Sequence, residues 1–315
     1  MKLPELKIGH LVAKLPIVQG GMAIRISMAP LAAAVANEGG IGLIAATGLT
    51  EQELRSEIRE ARRLTKGIIG INCLFAARDF AKLVQTAIDE GIDLVVSGAG
   101  FSRDMFQWGK ESGTPIVPIV SSARLAKLAQ KLGAAAVVVE GKEAGGHLGT
   151  DESMKKIVPE VVAAVDIPVI AAGGIIDGHD IVDAFKMGVS GVQMGTRFAA
   201  SEESGAAPEF RELYLRSTHD DVVLVDSPVG LPGRGLKNPF WNKLNSDEDN
   251  SPKRCNGCLK HCSKSFCIVE ALNHAQQGNM ESGLVFSGEH VERIKEILPV
   301  RVIVENLLRE IEAYS

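Results

Sequence analysis

Between residues 15 and 198 the sequence alternates short apolar, β-rich runs with longer segments of helical period, and few architectures can absorb that pattern. Eight runs can be read: LPIVQGG (15–21), GIGLIAA (40–46), GIIGINCLF (67–75), LVVSGAG (94–100), PIVPIV (115–120), AAAVVVEG (134–141), IPVIAAGG (167–174) and GVQMGTRF (191–198). They are continuously apolar, as strands buried on both faces are. Between them, segments such as EQELRSEIREARRLT (51–65), ARLAKLAQKLG (123–133) and GHDIVDAFKMG (178–188) carry apolar residues every three or four positions. Parallel strands need crossover helices, so the alternation predicts a parallel α/β sheet. Eight units favour a closed (β/α)8 TIM barrel over a large Rossmann-like sheet, and no GxGxxG follows the first strand, where a dinucleotide fingerprint would sit.

After the eighth run the alternation stops. Residues 199–254 are polar, with turn signals in SPVGLPGRG (227–235) and an acidic loop NSDEDNSP (245–252), followed by a cysteine cluster and a helical C-terminus. The expected organisation is a barrel over 1–205 and a C-terminal, mostly helical appendage over 206–315 that carries a four-cysteine site.

Composition narrows the class of function. With 45% hydrophobic and 23% charged residues the chain can bury a sizeable core, and a net charge of −5 with interleaved signs offers no basic stripe for a nucleic acid. MKLPELKIGH lacks the features of a secretory signal, and no uncharged apolar stretch reaches membrane-spanning length. The expectation is a soluble, cytoplasmic protein acting on a small molecule, with neither nucleic acid nor membrane as partner and a homodimer as a candidate assembly.

In such a barrel, catalytic groups collect at the carboxyl ends of the strands, and loops 7 and 8 commonly hold a phosphate. The seventh run ends in AAGGI (171–175), where Gly173 and Gly174 lack the β-carbons that would keep an anion from the backbone. The eighth ends in QMGTRF (193–198), offering the Gly195 and Thr196 amides and the Thr196 hydroxyl. The plainer alternative is that these glycines only permit tight turns. GGM (20–22), Asn72 and SGAG (97–100) leave slim backbone approaches and a polar edge for a flat ring; Asn72 reads equally well as a turn residue. Cys73 reads as a small core hydrophobe.

His147 stands among glycines in EAGGHLG (143–149), on a loop at the catalytic face, and a histidine titrating near neutrality can move a proton either way. The alternative is a loop histidine that fixes the backbone. The remaining histidines, His290 among them, fall in termini, helices or the appendage and carry no such signal. Cys255, Cys258, Cys262 and Cys267 form a CxxCxxxCxxxxC array, denser than separated zinc knuckles, which suggests a [4Fe-4S] cluster with zinc or free thiols as alternatives.

Taken together, PIVQGGM, GINCLF, SGAG, EGKEAGGHLG, IPVIAAGGI and GVQMGTRF resemble the nitronate monooxygenases, formerly 2-nitropropane dioxygenases, and their relatives the flavin-type enoyl-acyl-carrier-protein reductases. The resemblance spans roughly residues 8–205. It implies FMN as cofactor, with the phosphate around Gly173, Gly174, Gly195 and Thr196 and the ring near Gly21, Met22, Asn72 and Glu140. Ser97, Gly145, Gly146, Ala172, Gln193 and Met194 lie in the same motifs and complete the candidate cofactor set. His147 falls on the family's catalytic histidine. The four-cysteine array is not part of the usual pattern, and the substrate-shaping lid of relatives has no clear counterpart. Three functions follow as expectations: oxidation of nitronates by a monooxygenase; reduction of an enoyl thioester or similar alkene by an NAD(P)H-dependent reductase; and a flavin/iron–sulfur sensor or electron carrier with no substrate of its own.

Overall fold

The computed structural model describes residues 2–314. All eight apolar runs form strands of one closed barrel: β1 (Ile17–Gln19), β2 (Ile41–Ala45), β3 (Ile68–Leu74), β4 (Leu94–Gly98), β5 (Ile116–Val120), β6 (Val137–Glu140), β7 (Val169–Ala172) and β8 (Gly191–Met194). Neighbours pair in parallel all the way round; Asn72 lies opposite Val96 across β3 and β4, and Glu140 opposite Ala172 across β6 and β7. Helices α1 (Ala29–Asn37), α2 (Glu51–Leu64), α3 (Phe80–Asp89), α4 (Arg103–Ser112), α5 (Ala123–Leu132), α6 (Met154–Val162) and α7 (Gly178–Lys186) follow β1 to β7 in turn.

Side-chain alternation sorts each strand between two cores. Inside the barrel, Val18, Ile41, Leu43, Leu94, Val96, Val117, Val138 and Ile170 pack together. An N-terminal hairpin, Leu6–Ile8 with Leu11–Ala13, plugs the end where the strands begin, its Leu6 and Ile8 joining that inner core. Between barrel and helices lies the larger core, with Ile44, Ile69, Ile71, Cys73 and Val95 facing outward. Each such aliphatic side chain adds about 1.5–3 kcal/mol of burial. The alanine-rich α1 sits closest: a β-carbon on Gly42 would stand 1.9 Å from the Ala32 carbonyl oxygen, so only glycine fits beneath this helix. Local signals fix the helix starts, as at Thr50, whose side chain accepts from the Glu53 amide while Glu53 accepts from the Thr50 amide.

The eighth helix comes late. After β8 the chain makes one helical turn at Thr196–Ala199 and leaves on an excursion before α8 (Val300–Tyr314) packs against α7 and α1. Ile303, Leu307 and Ile311 enter the outer core, and the Glu310 carboxylate accepts from the Gly178 amide at 2.7 Å, where a β-carbon would meet the α8 backbone. Residues 200–299 are thus an enlarged eighth strand-to-helix loop, and topology places them over the catalytic face. The stretch expected to be mostly helical also holds a hairpin, Val222–Asp226 with Pro232–Leu236, extended by the short strand Gly146–His147. Among the described residues no helix is long and apolar enough to cross a membrane.

Candidate active site

A cavity of about 240 Å³ opens at the carboxyl ends of the barrel strands. It gathers Gly21 and Met22 after β1, Asn72 from β3, Glu140, Gly145, Gly146 and His147 from β6 and its loop, Ala172, Gly173 and Gly174 from β7, and Gln193, Gly195 and Thr196 from β8. Two residues nominated from sequence stand back from it. Met194 points into the outer core, because it is one residue away from the inward-facing Gln193. Ser97 is buried and donates its hydroxyl to the Gly100 carbonyl at 2.6 Å, which holds the turn after β4.

Close backbone approach shapes the floor. Asn72 Nδ2 donates to the Gly21 carbonyl at 2.9 Å, and a β-carbon on Gly21 would lie 2.2 Å from Asn72 Cβ. That arrangement leaves Asn72 Oδ1 buried without a partner, as is Gln193 Oε1. Two orphaned acceptors on one cavity wall each cost free energy unless a ligand supplies donors. Where β7 ends, Gly173 and Gly174 adopt φ of +107° and +72°, conformations that favour glycine.

A third segment, invisible to the motif reading, closes this end. Ser287, Gly288 and His290 line the cavity; the Gly288 amide donates to Thr196 Oγ1 at 2.9 Å and the Glu289 amide to the Glu143 carbonyl at 3.0 Å. A β-carbon on Gly145 would lie 2.6 Å from Ser287 C, and one on Gly174 would be 3.1 Å from the His290 ring. His290, which carries no signal in the sequence, therefore belongs to the wall.

His147 is held from three sides. Its backbone pairs opposite Gly233 in the hairpin, its Nε2 lies 2.8 Å from Ser227 Oγ, and its ring meets Phe286 edge-on at 5.1 Å. Burial pulls its pKa down to about 4, so the imidazole is neutral at neutral pH and takes a proton more readily than it gives one. Burial acts oppositely on Glu140, pushing it up to about 8. At neutral pH that carboxyl keeps its proton and can donate a hydrogen bond into the cavity. Ile24, Phe210, Tyr214, Val229, Leu259, Ile268, Val269, Leu272, Leu284 and Phe286 form an apolar outer wall, nearly all of it supplied by the excursion.

The profile of the nitronate monooxygenase family matches residues 5–87 and 74–310. The chain belongs to the nitronate monooxygenase family. The chain is 34% identical over 272 residues to a (3aS,4S,5R,7aS)-5-hydroxy-7a-methyl-1-oxo-octahydro-1H-indene-4-carboxyl-CoA dehydrogenase of Rhodococcus jostii, covering 86% of this chain and 72% of that one. It is 28% identical to a probable nitronate monooxygenase of Staphylococcus saprophyticus, covering 98% of both. Among solved structures FabK from Thermotoga maritima superposes with a TM-score of 0.87 at 36% identity, over 96% of this chain and 94% of that one. Membership makes the chain an oxidoreductase, and the family is FMN-dependent. The wall fits that group: slim positive-φ glycines where a phosphate would rest, and unpartnered Asn72 and Gln193 acceptors where a ring edge would lie.

The four-cysteine array sits beside this site. All five cysteines are free, and Cys73 is sealed behind β3, its thiol pushed up to about 12 by burial, as a core residue would be. Cys255, Cys258, Cys262 and Cys267 line a second cavity of about 460 Å³ that shares Ile24, Ile268 and Val269 with the first. Among the described residues no group of three or more His, Cys, Asp or Glu side chains is placed to hold a metal ion, so the arrangement of the four cysteines does not by itself support the metal site expected there. The segment takes its shape instead from backbone bonds to the loop after β3, with Arg78 N donating to Cys258 O and Lys260 N to Ala76 O, both at 2.9 Å.

Proposed function

We propose that the chain is an FMN-dependent oxidoreductase acting on an apolar, thioester-activated substrate, with NAD(P)H as electron donor and His147 as the proton-transfer group. The observation that carries this reading is the apolar outer wall, which meets the glycine-lined cradle at the Ser227-anchored His147. In the cradle, Gly173, Gly174, Gly195 and Thr196 would hold the phosphate and Gly21, Met22, Asn72, Glu140 and Gln193 the ring. FMN supplies hydride chemistry when bound. The protein's part is the rest: Glu140 donates a hydrogen bond from its retained proton, the excursion excludes water, and Ser227 and Phe286 fix the imidazole while it exchanges a proton at the substrate carbon. The apolar wall and the carboxyl-CoA substrate named for the Rhodococcus relative both support a thioester.

A second reading, oxidation of nitronates, draws on the family name and on a histidine that is a base at neutral pH. One experiment separates the two. The released cofactor is identified by mass, and the protein is then assayed anaerobically for NAD(P)H oxidation with a trans-2-enoyl-CoA and aerobically for oxygen uptake with an alkyl nitronate. FMN with turnover only in the first assay is expected. FAD or no flavin would overturn the cofactor, and turnover only in the second would overturn the substrate class.

A further inference from the structure

We propose that the cavity ringed by Cys255, Cys258, Cys262 and Cys267 is the seat of a polynuclear iron–sulfur cluster, bound against the outer wall of the active-site cavity. Four free cysteines, with Cys255 exposed, line one open cavity of about 460 Å³. A mononuclear zinc site would draw all four sulfurs to about 2.3 Å from a single point. In a cluster each cysteine binds its own iron, so the sulfurs stand apart around an inorganic core. Four cysteines around one cavity make up the ligand count such a core requires.

Charge points the same way. Metal binding converts the thiols to thiolates and concentrates negative charge in the cavity. Residues 252–264 answer with Lys253, Arg254, Lys260 and Lys264 and contain no acid. Arg25 and Arg254 reach the cavity wall, against a single carboxylate, Glu270. A structural clip, by contrast, is redundant. The segment is already tied to the loop after β3 by backbone bonds, by Lys260 Nζ to the Phe75 carbonyl at 2.6 Å, and to the hairpin by Ser263 N to Pro228 O at 3.1 Å.

Position gives the cluster its significance. Cys267 caps the helix Ile268–Gln276, and Ile268 and Val269 of that helix, with Ile24, form the partition between the two cavities. The helix that carries the fourth ligand is therefore also part of the substrate wall.

The test is anaerobic purification of the full chain and reconstitution with ferrous iron and sulfide, with iron, acid-labile sulfide, zinc and flavin each counted per chain. Wild type should hold about four irons and four sulfides and give a paramagnetic signal when reduced by dithionite. Cys258→Ala and Cys262→Ala should fall below one iron while keeping wild-type flavin, and Cys73→Ala should keep its iron. If either alanine variant fails to fold, Cys255→Ser at the exposed ligand should still lower iron content or alter the signal. Wild type that takes up less than one iron, that holds one zinc without sulfide, or whose iron survives every one of these substitutions would overturn the proposal. Because flavin is counted separately, its absence would overturn the FMN reading alone.

Discussion

Glu140→Gln should remove a pH dependence from the stability of the flavin-free protein. Burial lifts the Glu140 carboxyl from 4.5 to about 8, so the folded chain keeps a proton that the unfolded chain has already released. The group's contribution is fully present below pH 4.5 and is lost as the pH rises through about 8. Linkage sets the slope inside that window at about 1.4 kcal/mol per pH unit, which flattens near the folded value and sums to about 2 kcal/mol between pH 6 and pH 8. Glutamine keeps the shape and has no proton to lose. Urea unfolding of both proteins across pH 5 to 9 reads the effect, and the advantage of Glu140→Gln should grow by about 2 kcal/mol between pH 6 and pH 8, then level off. Curves that stay parallel would refute burial as the cause, and with it the role of Glu140 as a neutral donor. His147 supplies an internal control. Its folded value of about 4 lies below its ordinary 6.5, so its contribution is present above pH 6.5 and is lost as the pH falls toward 4. Both proteins should share that acid limb.

His147→Ala should retain the flavin and leave its reduction by NAD(P)H intact while slowing transfer to substrate by about 10²- to 10⁴-fold, as stopped-flow measurement of the two half-reactions would record; unchanged rates in both would make His147 a structural loop residue. Gly42→Ala forces a β-carbon to 1.9 Å from the Ala32 carbonyl oxygen and should cost at least about 3 kcal/mol, seen as a fall in Tm. Gly91→Ala meets no atom within 4 Å and pays only for its φ of +70°, about 1–2 kcal/mol, so equal losses at the two sites would refute the steric account.

The barrel could be read from sequence because each strand is buried on both faces and each crossover helix carries its own periodic stripe. Ile41, Leu43 and Ile44 serve two cores at once, and that leaves a continuous apolar run. The cradle could be read for a related reason: only glycine tolerates the φ of Gly173 and Gly174 or the approach of Gly21 to Asn72. Met194 was separable from Gln193 by the same period of two, which motif matching overrides. Ser227, Phe286 and His290 were not readable at all. They reach His147 and Gly174 through contacts across tens of residues, and nothing local marks Ser227 as a histidine's partner. The hairpin at 222–236 was hidden too, since PGRGL has little strand propensity and forms through pairing with Val222–Asp226 and Gly146–His147.

The late position of α8 has a consequence for synthesis. A ribosome that has released β8 has delivered every strand of the barrel, yet residues 195–299 must still emerge before Val300, Ile303 and Leu307 can cover the seam between α7 and α1. Through that interval the nascent chain carries an uncovered apolar strip, the kind of surface that chaperones bind and that drives aggregation when they do not. Substitutions that weaken α8 should therefore lower the yield of soluble protein made in the cell more than they lower the turnover of the molecules that finish folding.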